Sequence, residues 1–106
     1  MPLSRAALHD TIIAVIASFQ HKGLDRFFKT GSKAGIQRKH AGRLRRQLTA
    51  LDNPSVLKDM DLPGYRLHEL QGSDAGEWAV WVSRNWRMTF RFEGSDAMLV
   101  NYQDYH

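Results

Sequence analysis

The chain has 106 residues, which is the size of one domain with a single hydrophobic core. Its composition, 42% hydrophobic and 10% aromatic, is typical of a globular protein and argues against a disordered or low-complexity chain. The absence of cysteine excludes a disulfide framework and a thiol nucleophile, and we expect a cytoplasmic protein. The longest apolar stretch, residues 12–19, is far shorter than the roughly 20 residues that cross a bilayer.

Positive charge is concentrated in one part of the chain. The formal net charge is +4, and the segment 20–46 contains a single acidic residue, Asp25. The basic residues of that segment are Lys22, Arg26, Lys29, Lys33, Arg38, Lys39, Arg43, Arg45 and Arg46. Such a cluster attracts a polyanion through its long-range field and through counterion release. The alternative is a helix face that is merely solvated, and the charge pattern leaves both interpretations open.

A short strand and a helix are predicted after residue 15. Residues 16–20 indicate a short first strand. The segment 22–30 places its apolar side chains at helical spacing, and Gly31 is a plausible stop for the helix. Those side chains are Leu24, Phe27 and Phe28.

A second helix is predicted over residues 36–51, because its apolar residues recur at intervals of three and four. They are Ala41, Leu44, Leu48 and Leu51. On a wheel of about 100° per residue the basic side chains fall on the opposite side. We therefore expect the core on one face of this helix and the positive field on the other. Residues 53–55 end the helix, and 56–64 form a loop or single turn.

The second half of the chain changes from helical spacing to alternation. Four strands are predicted, over residues 65–71, 77–83, 85–92 and 97–102, joined by short turns into an antiparallel meander. The third strand alternates most clearly. Its apolar residues are Trp86, Met88, Phe90 and Phe92, and its polar residues are Arg87, Thr89 and Arg91. One sheet face is expected to pack on the helices while the other stays open.

The predicted fold class is α+β. Two N-terminal helices lie on one side of a curved antiparallel sheet of about four strands plus the short N-terminal strand, and a basic concavity lies on the other side. Arg66 and His68 alternate on the first meander strand. They share the open face with Arg87 if the pairing register allows it.

Residues on and near that face suit RNA cleavage without a metal ion. The reaction needs a base for the 2'-hydroxyl, an acid for the leaving 5'-oxygen, and positive charge beside the phosphorane. His68 and His106 are candidates for proton transfer, and Arg87 for the charge. Tyr105 would orient the phosphate or stack on a base, and Asp104 would hold a histidine tautomer or the geometry of the tail. The alternatives are a satisfied strand histidine, a cross-strand ion pair and a frayed terminus.

Other catalytic signatures are missing from the sequence. It contains no nucleotide-binding glycine loop, no GxSxG and no HExxH, and its five histidines lack the spacing of metal ligands. We therefore expect no cofactor and no metal site. The residues predicted to bind RNA are Lys39, Arg43, Arg45, Arg46, Arg66 and Arg91.

Several segments resemble the HigB branch of the RelE/ParE toxin superfamily. They are SFQHKGL at 18–24, FFKTGSKAGI at 27–36, LRRQL at 44–48, DLPGYRLH at 61–68, NWRMTF at 85–90 and DYH at 104–106. The order and spacing of these segments match over residues 16–106, which we interpret as a single toxin domain. Residues 1–15 precede the usual family start and form an extension. It is interpreted as an upstream translation start, a disordered arm or an added helix.

The resemblance implies a RelE-like fold and a toxin of a type II toxin-antitoxin system. Such a toxin enters the ribosomal A site and cuts mRNA there without a metal, as an mRNA interferase. A HigA-type helix-turn-helix antitoxin is implied as its partner, with the pair binding operator DNA. The family's active-site residues fall on His68, Arg87, Asp104, Tyr105 and His106.

Two substitutions depart from the family pattern beside the proposed active-site histidine. Gln71 stands where the family usually has lysine, and Glu69 replaces a proline. A cation near the phosphate is lost and an acid is gained, so transition-state stabilisation is expected to be weaker. Two alternatives therefore stay open: a non-catalytic ParE-like inhibitor of DNA gyrase, and a weakened toxin acting mainly in antitoxin and operator binding. Codon preference and the roles of the two histidines also stay open.

Overall fold

The computed structural model describes residues 16–52, 61, 64–72, 76–94 and 96–105. These contain helix α1 (Lys22–Thr30), a 3-10 turn (Arg38–His40), helix α2 (Ala41–Leu51) and strands β1 (His68–Glu69), β2 (Glu77–Ser83), β3 (Trp86–Glu93) and β4 (Asp96–Asp104). The strands form one antiparallel sheet in the order β1-β2-β3-β4. The predicted α+β meander is therefore confirmed. None of the described helices is long and apolar enough to cross a bilayer.

Helix α1 has the predicted bounds because both of its ends are capped locally. At the start, Nδ1 of His21 accepts a hydrogen bond of 2.9 Å from the amide of Leu24, one of the amides without a partner in the helix. At the end, Gly31 adopts a left-handed backbone with φ of 81°, and its amide donates to the carbonyl of Phe27. Leu24 and Phe27 are the buried residues of α1.

Helix α2 starts later than predicted. Residues 38–40 form a 3-10 turn, and the α-helix runs from Ala41 to Leu51. The reason is a tertiary contact, since a hydrogen bond of 2.6 Å joins Nδ1 of the buried His40 and the hydroxyl of Tyr102 in β4. This contact sets the position of the turn against the sheet. The prediction of a helix start at residue 36 is wrong, while the predicted end and apolar stripe are confirmed.

The apolar core lies between the two helices and one face of the sheet. On the helical side the buried residues are Leu24, Phe27, Ala41, Leu44, Leu48 and Leu51. On the sheet side they include Val80, Val82, Met88, Phe90, Val100 and Tyr102. Fully burying a side chain of this size contributes about 1.5–3 kcal/mol relative to leaving it in water. On the opposite face Ala79 and Thr89 are also buried, whereas His68 is exposed and Arg87 is half-buried.

Residues 16–20 lie beside β4 but do not form the predicted strand. They make two isolated parallel bridges, which join Ile16 to Ala97 and Phe19 to Val100. Between these points β4 carries a bulge, in which Leu99 has φ of 53° and donates its amide to Oγ of Ser18 at 2.8 Å. A bulge interrupts the regular ladder of amides and carbonyls. The segment therefore pairs at separate points rather than as a continuous strand.

Strand β1 is shorter than predicted. Its regular pairing covers only two residues, although the alternation extends over 65–71. Arg66 adopts φ of 53°, which breaks the extended backbone just before the strand. On the other side of this kink, the carbonyl of Tyr65 accepts a hydrogen bond of 2.6 Å from the amide of Trp81, so the chain contacts β2 there as well. The extension 1–15, the loop after α2, parts of two turns and His106 lie outside the described residues.

Candidate active site

The register of the sheet places His68 and Arg87 on the same face. His68 lies opposite Ala79, Ala79 lies opposite Thr89, and Trp81 lies opposite Arg87. Directly opposed residues of antiparallel strands project to the same side. One strand and two residue positions separate the pair, so their Cα atoms are roughly 12 Å apart. Two long side chains at this separation can both reach a single phosphodiester.

His68 is exposed, and its tautomer is set by the backbone. Nδ1 lies 2.7 Å from the carbonyl oxygen of Arg66. Because a carbonyl only accepts, Nδ1 carries the hydrogen and Nε2 of the neutral ring keeps its lone pair. The alternative of a satisfied strand histidine explains Nδ1 but leaves Nε2 available as a proton acceptor.

Arg87 is oriented by neutral groups. Its terminal nitrogen Nη1 donates to the carbonyl of Arg84 at 3.0 Å and to that of Trp86 at 3.2 Å. Over the described ranges the ion pair present is Lys29 with Asp25, so Arg87 does not form the cross-strand ion pair that was the alternative. Carbonyls hold the guanidinium in place and leave its full charge for an anion.

The last described residues run past the turn that precedes Arg87. Asp104 lies opposite Trp86 at the end of β4, and the amide of Tyr105 donates to the carbonyl of Asn85 at 2.7 Å. Both Asp104 and Tyr105 make further interactions, and Tyr105 is 38% exposed. A frayed end is therefore excluded for these two residues. His106 follows directly but is not described, so its role stays a prediction.

Trp81 of the open face was missed by the sequence analysis, whereas Thr89 was predicted on this face without a role. Trp81 is half-buried there, and its Nε1 donates at 2.8 Å to the Arg84 carbonyl that also receives Arg87. Thr89 is fully buried, and its hydroxyl has no hydrogen-bond partner within the described residues. In β2 the buried Val80 and Val82 alternate with Trp81, so this pattern would have placed Trp81 on the other face of the sheet. Alternation places Thr89 on this face, but nothing local in the sequence marks its burial.

Arg43 differs from the prediction for the basic face of α2. It is half-buried, its guanidinium donates to the carbonyl of Gly64 at 2.6 Å, and its Nε donates to that of Trp81 at 3.3 Å. The same guanidinium lies 4.9 Å from the centre of the Tyr65 ring. Arg43 therefore tethers α2 to the edge of the sheet rather than facing solvent.

The other basic candidates are spread over separate surfaces. Arg45 lies over the ring of Phe27 at 5.1 Å, on the α1 side of α2. Lys39 and Arg46 are exposed, and Arg91 is half-buried opposite Glu77 on the open face. Of the predicted set, the structure brings Arg43 and Arg66 together beside Trp81 and leaves Arg45 apart from them.

The substitutions that depart from the family pattern do not place an acid next to His68. Glu69 follows His68 in β1, so its side chain projects to the opposite side of the strand. Its Oε2 accepts a hydrogen bond of 3.2 Å from the amide of Gly76 in the next turn. Gln71 is exposed. Among the described residues no group of three His, Cys, Asp or Glu side chains could hold a metal ion.

Comparison with known proteins decides the family. Residues 17–106 match the model of the HigB-like toxins, which are RelE-like toxins of the type II toxin-antitoxin system HigB. The chain belongs to this family. An endoribonuclease HigB of Proteus vulgaris is 38% identical over 92 residues, which are 87% of this chain and 100% of that protein. The resemblance seen in the sequence motifs is confirmed, and the α+β architecture is consistent with a RelE-like toxin.

Proposed function

We propose that this toxin is an endoribonuclease that cuts ribosome-bound mRNA without a metal ion. The observation that carries the proposal is the placement of His68 and Arg87 on one open face, with the tautomer of His68 set by the Arg66 carbonyl. The similarity to a protein named as an endoribonuclease supports it. The family membership supports an antitoxin partner of the HigA type, operator binding by the pair and action in the cytoplasm.

The proposed reaction is an attack by the 2'-oxygen on the adjacent phosphorus. Nε2 of His68 takes the proton of the 2'-hydroxyl as the new P–O bond forms. Arg87 stabilises the charge on the phosphorane, and Tyr105 orients the phosphate. The P–O5' bond then breaks, and His106 in its protonated form gives a proton to the 5'-oxygen, with Asp104 holding the tail. The products are a 2',3'-cyclic phosphate and a 5'-hydroxyl.

The test uses purified toxin and translating ribosomes programmed with a defined mRNA. We expect cleavage at mapped codons, with a cyclic phosphate on the upstream fragment, because the 2'-oxygen is the nucleophile. His68→Gln and Arg87→Gln should each reduce the cleavage rate by about 10²- to 10³-fold. Lys33→Gln, an exposed change in the loop after α1, is the matched control and should cut like wild type.

Three results would contradict the proposal. Wild type that cuts no better than His106→Ala would remove the catalytic role of the terminal histidine. Fragments ending in a 3'-hydroxyl would indicate an attacking water instead of the 2'-oxygen. Inhibition of DNA gyrase in a supercoiling assay, without any effect on translation, would favour the ParE-like alternative.

A separate observation distinguishes the remaining alternative. Growth arrest on induction, relieved by the antitoxin, would exclude a merely weakened toxin.

A further inference from the structure

An indole lies on the polar face near the β2–β3 turn, next to the proposed catalytic arginine. Trp81 is directly opposite Arg87 in the β2–β3 pair, and both side chains donate to the carbonyl oxygen of Arg84. That hydrogen bond fixes the edge of the indole, so the plane of the ring is set before any ligand arrives. Arg84 itself has φ of 52°, a backbone conformation that non-glycine residues rarely adopt.

Two guanidinium groups cover the indole ring. Arg43 lies 5.1 Å and Arg66 lies 4.7 Å from its centroid. Arg43 is also anchored to two carbonyls, whereas Arg66 is exposed. Within the described part of the chain neither arginine forms a salt bridge, so ring and carbonyl contacts position both cations.

We propose that Trp81 is the stacking site for a nucleobase next to the scissile phosphate. This inference rests on the proposed function and names a recognition subsite within it. The base takes the place of the exposed Arg66 guanidinium on the ring, and Arg66 moves to the neighbouring phosphate. The exchange is favourable because base–aromatic stacking is stronger than an exposed cation–π contact, and because the released guanidinium gains an anionic partner.

The position of the ring argues for this role over a purely structural one. Trp78 and Trp86 pack against the core, but Trp81 lies on the opposite face among polar and charged side chains. A rigid, pre-oriented aromatic surface flanked by cations is the arrangement with which proteins bind single-stranded RNA. Arg87 is its cross-strand neighbour, so a base on this ring belongs to a nucleotide adjoining the phosphate that Arg87 holds.

The experiment follows the indole N–H signals of ¹⁵N-labelled toxin by NMR. The chain contains three tryptophans, and the signal of Trp81 is assigned from its absence in Trp81→Phe. The probes are inorganic phosphate and a tetranucleotide RNA with 2'-O-methyl groups, which cannot be cut. Millimolar RNA should shift the Trp81 signal to saturation, and phosphate alone should not. Trp78→Phe is the control, because it removes an indole from the other face of the same strand.

A second arm identifies the base. Trp81→Ala should weaken RNA binding by about tenfold, Trp81→Phe should restore most of it, and one abasic position in the RNA should cost a similar factor. Trp81→Ala tested with the abasic RNA should lose little more affinity than either change alone, because both changes remove the same stacking contact. Either of two results overturns the inference. The first is a Trp81 signal that does not move at millimolar RNA. The second is a combined loss of RNA affinity equal to the sum of the two separate losses in binding free energy. RNA that stacks on Trp81 but is never cut on ribosomes would instead overturn only the proposed function.

Discussion

Arg43 and Arg46 lie three positions apart on α2 but have different surroundings. Arg43 is half-buried against Gly64, Tyr65 and Trp81, whereas Arg46 is exposed. We expect Arg43→Ala to lower the free energy of unfolding by about 1–3 kcal/mol. The change removes the donor to the Gly64 carbonyl, one of the two side-chain donors to the Trp81 carbonyl, and packed methylenes. Arg46→Ala should change it by less than about 0.5 kcal/mol. Urea titration measures both, and equal losses would contradict a tethering role for Arg43.

His40 makes the stability of the toxin depend on pH. Burial, with a smaller contribution from Lys39, lowers the pKa of His40, and burial also lowers the pKa of His21. The unfolded chain therefore binds more protons below about pH 6.5, and stability falls as the pH drops from there towards the folded pKa. Each histidine adds at most about 1.4 kcal/mol per pH unit to this slope.

Thermal melts between pH 7.5 and 5.5 test this dependence. The melting temperature of wild type should fall with acidification, and His40→Gln should show a flatter profile because one of the two imidazoles with a lowered pKa is gone. A His40→Gln profile as steep as that of wild type would contradict the assignment.

At the scale of elements, α1 and the loop before α2 approach each other through two glycines. A Cβ atom built on Gly23 would lie 2.5 Å from the carbonyl oxygen of Gly35, and one on Gly35 would lie 2.5 Å from Cα of Gly23. Gly23→Ala should therefore lower stability by about 1–3 kcal/mol, because backbone atoms must move. Gly42→Ala in α2 is the control, since the atom nearest to a Cβ built there is Nη1 of the flexible Arg46 side chain, at 3.6 Å.

The two glycine variants are expected to have different effects on the free energy of unfolding. Gly42 is exposed within a helix, where alanine is favoured by up to about 1 kcal/mol, so Gly42→Ala should leave stability unchanged or raise it. Denaturant midpoints of the purified variants provide the comparison. A Gly23→Ala protein as stable as wild type would show that the loop yields easily and that the close approach is not needed.

Elements with local signals at both ends were predictable from the sequence. Helix α1 and strand β2 have their predicted bounds, since apolar spacing and turn residues mark them. The start of α2 was not predictable, because His40 is held by Tyr102, far away in the chain. Strand β1 was overextended because no residue type announces the left-handed backbone of Arg66.

The candidate site was predictable in its residue types but not in its geometry. Alternation placed Arg87 on an open face, but only the pairing of His68 with Ala79 shows that both share it, and a register is a property of two distant strands. The tautomer of His68 depends on a carbonyl placed by an unusual φ. Trp81 is not marked by residue type, because a tryptophan between two valines is equally compatible with a core position.

At the scale of the whole molecule, the net charge of +4 comes from basic residues on several surfaces. Lys39 and Arg46 are exposed outside the site, so Arg46→Glu should weaken ribosome association with little change in fold stability. The effect should shrink as salt is raised, because exposed charges are screened. Sedimentation with ribosomes at two salt concentrations measures the effect. Binding that does not depend on salt would show that this surface faces solvent without contributing to ribosome binding.

The parallel bridges of Ile16 and Phe19 to β4 have a consequence for how the toxin is made. These contacts join positions about 80 residues apart, so the early segment has no partner until the last strand has been translated. A nascent chain that is still being synthesised cannot complete the sheet or position Tyr105 beside Asn85. The sheet is therefore completed only after the last strand has been made, and the earliest described segment is among the last to find its partner.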